Sequence, residues 1–504
     1  MDLSGRYAIA VVNTPVILTR RRLVQGLTAL GLAPISSRLA FGAFPLQAVI
    51  DGDPLRPRFH LMPKRGWMND PCAPVYYRGR YHLFFQYNPN ASVWGDMHWA
   101  HAVSTDMVHW TARPIALEPT PGGPDADGVF TGSMVLDHGT PTILYTCVSP
   151  STQALATLWG SKPPEREQQC IAVPADRNGS DANSALDVWT KSPQPVLMSP
   201  PPGMQVTGFR DPVPWQEADG NYYMLLASGQ KNVGGNVLLY KSADLRTWQY
   251  QHVFAQGKAT GKQTDDTVDS GEMWECPDFF PLGDKHVLIH STGTASGRRT
   301  FWQSGTLDKS TMRWTPEHEG ILNHGPYYAP KTQLDAAGNR ILWGWIEETR
   351  PQAEMAAAGW SGCMSLPRVL TLKNGQVQFA PAPQVNSLRS GTANQQRPGP
   401  QAELLLQMKR QTAAAPLSYV SAALRISQAS STNDVLWNDT LIAAGSDLPD
   451  AFTVRCFIDH SVVEVFLGDV IVLTQRIYGT MPAHLQLPAG FAVDDSKTYV
   501  LKSI

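Results

Sequence analysis

A chain of 504 residues is too long for one ordinary domain, and its length suggests two or three, two being the starting expectation. The formal net charge of -2, with Lys and Arg scattered rather than run together, argues against a surface that neutralises nucleic-acid phosphates. Forty-one Gly, 40 Pro, 15 Trp, 15 Tyr and 16 Phe beside only 17% charged residues suit a turn-rich β protein, and the aromatic content suits a sugar-binding surface.

The N-terminal stretch reads as an address. In "TRRRLVQGLTALGLAP" the Thr19-Arg20-Arg21 step precedes Leu23 and a weakly apolar run to Leu32, a pattern that resembles a bacterial twin-arginine export signal. The run is too short to span a bilayer, so no membrane span is expected. Residues 1–48 are read as this signal and an arm.

From about residue 57 short β-type runs are separated by Gly, Asp, Asn and Pro, with no long helical periodicity. Five runs are alike: "YHLFFQ" from Tyr81, "TILYTC" from Thr142, "YYMLLA" from Tyr222, "HVLIHS" from His286 and "ILWGWI" from Ile341. A second signature, "STDMVHW", "SADLRTW" and "KSTMRW", ends on Trp110, Trp248 and Trp314. Repeated units of this length predict the blades of a five-bladed β-propeller over residues 57–380. Residues 381–402, rich in Pro, Gln, Asn and Ser, read as a linker. The alternating pattern of 403–504, as in "FTVRCFIDHSVVEVFLGDVIVLTQR", predicts a small antiparallel β-sandwich.

The six cysteines (72, 147, 170, 276, 363 and 456) show no close pair and no metal-ligand spacing, so buried free thiols are expected rather than a disulfide framework or a zinc site.

Asp70, Asp211 and Glu275 each lie 11 residues before the start of one of the five repeated runs. That spacing places three carboxylates at one register of three innermost strands, converging on the mouth of the propeller channel. Mutual repulsion makes such a set costly as mere structure, so it is a candidate site. The other two blades offer "FTGS" (Phe130 to Ser133) and "YYAPK" (Tyr327 to Lys331) at this place, which adds hydroxyls, aromatics and one cation.

Taken in order, "WMNDPCAP", "FTGS", "FRDP", "MWECPDFFP", "RILWGWIEE" and "GWSGCMSLPR" resemble the motifs of glycoside hydrolase family 32, the β-fructofuranosidases, and "FIDHSVVEVF" is similar to that family's C-terminal domain. The resemblance implies an all-β chain, a five-bladed propeller followed by a sandwich, acting without metal or organic cofactor on sucrose or fructan. It implies Asp70 as nucleophile, Glu275 as general acid/base and Asp211 as a stabiliser that binds fructose hydroxyls. Asn69, Gln86, Trp94, Phe130, Thr131, Ser133 and Arg210 match its sugar-binding positions, and Trp67 and Trp360 stand between sugar contact and wall packing.

Retaining hydrolysis needs one ionised carboxylate to attack the anomeric carbon and one protonated carboxyl to donate to the leaving oxygen, about 5 to 5.5 Å apart. Glu275 must therefore hold a proton, and the charges of Asp70 and Asp211 are expected to raise its pKa. A fructosyltransferase on the same scaffold, or a catalytically silent fructan-binding protein, are the alternatives. Cys72-Ala73 stands where the family carries Asn-Gly, which leaves substrate preference beside the nucleophile open.

Overall fold

The innermost strand of each propeller blade is broken at one level, and these breaks build the site. In the computed structural model, which describes residues 44–149, 166–175, 186–262, 264, 266–394, 397–411, 417–429, 433–479 and 481–504, five sheets of four or five strands follow one another along the chain. Their inner strands are Gly66–Tyr77, Gly128–Asp137, Phe209–Gln216, Glu275–Leu282 and Tyr327–Leu334. The signal expected at the N-terminus lies outside the described residues through position 43. Among the described residues no helix is long and apolar enough to cross a membrane.

The five repeated runs form the second strand of each blade: Arg80–Asn88, Thr140–Ser149, Tyr222–Gln230, Lys285–Thr294 and Arg340–Ile346. They are buried almost continuously because neighbouring blades cover both faces, which is why they read as unbroken apolar runs rather than alternating ones. The Trp signature marks entry to the outer strands. Asp106 and Asp244 cap the preceding turns, and Trp110 and Trp248 each donate their indole N–H to the carbonyl three residues back. These tryptophans pack between blades; Trp110, for instance, meets Trp343 edge to face at 5.5 Å.

The ring is closed by the segment Trp360–Ser361, which pairs in parallel with Gly66 and Trp67 of the first inner strand. A six-stranded and a five-stranded sheet then form the β-sandwich around a core that includes Leu404, Val454, Val465 and Leu485. The stretch read as a linker is partly built in. It carries a 3-10 turn, Pro383–Leu388, with Val385 and Leu388 buried, and its strand Arg389–Thr392 pairs with Phe491–Leu501 of the sandwich.

Propeller and sandwich share a buried ionic cluster. His60 bonds Asp459 at 2.8 Å and Glu464 at 3.0 Å, and Arg368 reaches Glu464 at 2.5 Å. Burial would lower the His60 pKa, but the two carboxylates override it and push it up to about 9. A group raised in this way stabilises the fold fully below its unfolded value near 6.5, and loses that contribution as pH rises through about 9. Thermal melts should therefore show wild-type stability declining between those pH values, and His60→Gln should flatten the slope. Glu464→Gln leaves His60 and Arg368 without their shared charge and should cost about 3 kcal/mol or more in chemical unfolding.

The cysteine expectation is corrected at one pair. Cys147 and Cys170 lie on adjacent strands of the second blade with Cα atoms 5.8 Å apart and form a disulfide, whereas Cys72, Cys276, Cys363 and Cys456 are buried free thiols. The pair is hidden in sequence because residues 23 apart become neighbours only through strand pairing. Closing a loop of that length contributes about 3 kcal/mol in the chain-entropy account. Cys170→Ser, or reductant, should lower the melting temperature accordingly.

Candidate active site

In every inner strand two residues oppose one on the second strand: Asn69-Asp70 opposite Gln86, Phe130-Thr131 opposite Thr146, Asp211-Pro212 opposite Leu226, Cys276-Pro277 opposite His290, and Ala329-Pro330 opposite Gly344. Such bulges twist the strand and re-aim its side chains. Asp211, Cys276 and Ala329 adopt left-handed φ values of 61°, 50° and 52°, a conformation costly for residues other than Gly and Asn or Asp. Neighbouring blades hold the displaced backbone. Thr146 Oγ1 accepts from the Asp211 N–H at 2.8 Å, Ser291 Oγ accepts from the Ala329 N–H at 3.1 Å, and the Gln86 amide donates to the Val129 carbonyl at 2.8 Å.

The bulges correct the single-register reading of the acids. Glu275 precedes its bulge, Asp211 is the first residue of its own, and Asp70 is the second. The acids still converge: the residue after Glu275, Cys276, reaches Asp70 with its thiol and Asp211 with its backbone N–H. The equal offsets in sequence arise from second strands that begin one or two residues apart relative to the bulge.

Asp70 is the most tightly directed of the three. Its Oδ2 accepts from the Thr131 hydroxyl at 2.7 Å and the Cys276 thiol at 3.3 Å, and its Oδ1 accepts from the Asn69 amide at 3.0 Å. Trp67 Nε1 fixes Asn69 in turn at 2.8 Å. Burial raises the Asp70 pKa, the Thr131 bond opposes the rise, and the nearby Glu275 adds to it. Asp211 Oδ2 accepts from the Cys276 backbone N–H at 2.8 Å. Burial, against Arg210 and with Glu275 and Asp70 beside it, pushes Asp211 up to about 7.

Glu275 behaves contrary to expectation. Burial alone would raise it, but Arg210 donates to Oε1 at 3.1 and 2.5 Å, Arg298 lies nearby, and Tyr328 donates to Oε2 at 2.9 Å, which together hold it down at about 2. Sequence reasoning counted the two acids and left the guanidinium groups out of the balance. Arg210 also donates to Glu167 Oε1 at 2.9 Å.

The remaining sequence candidates divide. Thr131, Asn69 and Arg210 belong to the hydrogen-bonded cluster. Trp94 and Phe130 meet edge to face at 5.9 Å beside it, and Gln86 spends an amide proton on the neighbouring blade. Ser133 is not brought to the acids. It lies two residues past Thr131, buried, in the lining of a cavity of about 510 Å³ that all five inner strands enclose beyond the bulges with Ala73, Val213, Asp278 and Lys331. Trp360 is fully buried, bonded to Asp53 at 2.8 Å and covered by Arg350, so it is wall and not sugar platform. Cys72 points into the core between the first two blades among Phe84, Trp99 and Tyr145. The departure from Asn-Gly is thus a matter of packing.

Glu167, Arg298, Glu347 and the Cys276 thiol escaped the sequence reading. The Cys276 thiol and Glu347 had a signal, since they stand in "MWECPDFFP" and "RILWGWIEE"; Glu167 and Arg298 reach the site from strands without a recurring pattern. Among the described residues no group of three or more His, Cys, Asp or Glu side chains is placed to hold a metal ion. The arrangement supplies a fixed carboxylate, a second carboxyl between two cations and a hydroxyl, and a third with a pKa near neutrality. That is the equipment of acid–base and nucleophilic chemistry on a polyhydroxylated substrate.

Comparison with known proteins identifies the family. Residues 60–383 match the model of the glycosyl hydrolases family 32 N-terminal domain, and residues 394–503 match that of the family 32 C terminal. The chain is 33% identical over 467 residues to sucrose-6-phosphate hydrolase of Escherichia coli, covering 85% of this chain and 90% of that protein. It is 35% identical over 353 residues to the raffinose invertase of Escherichia coli, covering 67% of each. Among solved structures, fructan 1-exohydrolase IIa from Cichorium intybus superposes with a TM-score of 0.71 at 24% identity over 90% of this chain and 98% of that one. A Bombyx mori β-fructofuranosidase variant in complex with sucrose gives 0.70 at 25% identity over 91% and 96%. Two family models that together span nearly all of residues 60–503, on a propeller and sandwich of the same architecture, establish that this glycosidase belongs to glycoside hydrolase family 32.

Proposed function

We propose that the chain is a retaining β-fructofuranosidase that releases terminal β-D-fructofuranosyl residues from sucrose or fructans, with Asp70 as nucleophile, Glu275 as acid/base and Asp211 as the residue that binds fructosyl hydroxyls. The observation that carries this reading is the trio of donors on Asp70, two of them side-chain groups from other blades, which orients one carboxylate beside Glu275.

In the first step Asp70 attacks the anomeric carbon while Glu275 gives its proton to the leaving oxygen, forming a fructosyl ester and a free alcohol. In the second, ionised Glu275 takes a proton from water, whose oxygen displaces Asp70 and frees fructose. Glu275 must gain a proton before the first step. Glu167 provides Arg210 with a second carboxylate, so the guanidinium stays paired when Glu275 becomes neutral. The Tyr328 hydroxyl can reverse from donor to acceptor at the same moment.

Purified enzyme should be given sucrose, inulin and levan, with products followed at low and high sucrose. Fructose release supports hydrolysis, longer fructosides at high sucrose mark transfer, and no turnover of any of them overturns the reading. Export is proposed with it, supported by the twin-arginine pattern and by the Cys147–Cys170 disulfide, a bond that persists in oxidising compartments.

A further inference from the structure

One charged group at the mouth has no part in the steps above. Glu347 follows directly on the second strand of the fifth blade, its backbone N–H bonded to the Pro326 carbonyl at 3.0 Å, and it is half-buried. Among the described residues no hydrogen bond reaches its carboxylate. Its charged neighbours are Arg298, Asp70, Glu275 and Asp269.

The two guanidinium groups of the mouth are already committed. Arg210 bonds Glu167 and Glu275, while Arg298 bonds Asp266 at 2.9 Å and Asp269 at 2.8 Å and lies over the Tyr328 ring at 5.8 Å. Each cation therefore answers two carboxylates, and Glu347 adds a further acid that shares the field of Arg298 with Asp266 and Asp269 and forms no ion pair among the described residues. A phosphate monoester brings a charge of roughly -1.5 to -2 at pH 7 and calls for Arg or Lys donors that are free to turn toward it. Neutral sugar hydroxyls, by contrast, are donors that an unpartnered carboxylate can accept.

Resting on the β-fructofuranosidase reading, we propose that Glu347 is a specificity-determining residue of this site, selecting neutral fructosides and rejecting those that carry a phosphate. This sets the chain apart from the sucrose-6-phosphate hydrolase it is similar to.

The test, run at about pH 8 because burial pushes Glu347 up to about 7 and the carboxylate must be ionised, compares kcat/KM for sucrose and for sucrose 6-phosphate, both read as fructose released. Wild-type enzyme should prefer sucrose, and Glu347→Gln should narrow that preference by about tenfold or more, mainly through a lower KM for the phosphorylated sugar. A purely structural role would move both substrates together. Raising ionic strength on the wild-type enzyme offers a second measurement that needs no variant: KM for sucrose 6-phosphate should fall while KM for sucrose holds. Equal use of the two sugars by wild-type enzyme, an unchanged ratio in Glu347→Gln, or salt-independent KM values would overturn the proposal. Fructose from neither sugar would instead count against the underlying activity.

Discussion

Asp70→Asn should lower kcat for fructose release from sucrose by about 10⁴-fold or more while leaving the fold intact. The amide has nearly the carboxylate's shape and can still accept from Thr131 at one atom, but it cannot form the fructosyl ester. Stability gives the control. Because burial raises the Asp70 pKa, the ionised carboxylate is a burden on the folded state at neutral pH, so the variant should melt at or above the wild-type temperature. Substantial activity in a well-folded variant would remove Asp70 from the nucleophile's role.

Glu275→Gln should have the next largest effect, about 10² to 10⁴-fold in kcat on sucrose. The loss should be much smaller in the first step with an aryl fructoside, whose leaving group needs no proton, so that the second step becomes limiting. The pH profile carries a further signature. In the free enzyme Arg210 and Tyr328 favour the ionised form of Glu275, so the protonation of the cluster turns on Asp211, which titrates near neutrality. Activity should fall as pH rises through about 7, and the profile should flatten in Glu275→Gln with the aryl substrate. An identical fall in that variant would assign the limb to another group.

Much of the architecture was legible in the residues. The second strands are covered on both faces, so they announce themselves as apolar runs, and the Trp signature repeats because three of the blades turn toward their outer strand over a similar capped turn. The Asn-Asp-Pro, Arg-Asp-Pro and Glu-Cys-Pro steps were legible as motifs. Their backbone was not, because a bulge inserts a residue without changing composition, and only strand pairing shows that the acids occupy three successive positions. Ser133 was misplaced for the same reason: two residues beyond Thr131 it has passed the bulge and entered the cavity behind the acids.

Electrostatics were the least readable. Counting Asp70 and Asp211 as neighbours of Glu275 predicts a raised pKa, but the outcome turns on Arg210 and Arg298. Arg298 lies 23 residues from Glu275 in sequence, across two strands and two turns, with no motif to mark it. Cys147 and Cys170 were hidden likewise until pairing set their strands side by side. The Cys276 thiol shows how a conspicuous motif can carry an unsuspected contact, since it points at the carboxylate of a different blade.

The most direct test of the account is to trap the fructosyl ester. Glu275→Gln enzyme, mixed with an aryl β-fructofuranoside and quenched in acid, should accumulate the intermediate because its second step is slowed. Peptide mass spectrometry should then find the fructosyl group on the peptide that contains Asp70, and on Asp70 within it. A label on Asp211, or no labelled peptide while the aryl alcohol is released in a burst, would contradict the assignment of Asp70 as the nucleophile.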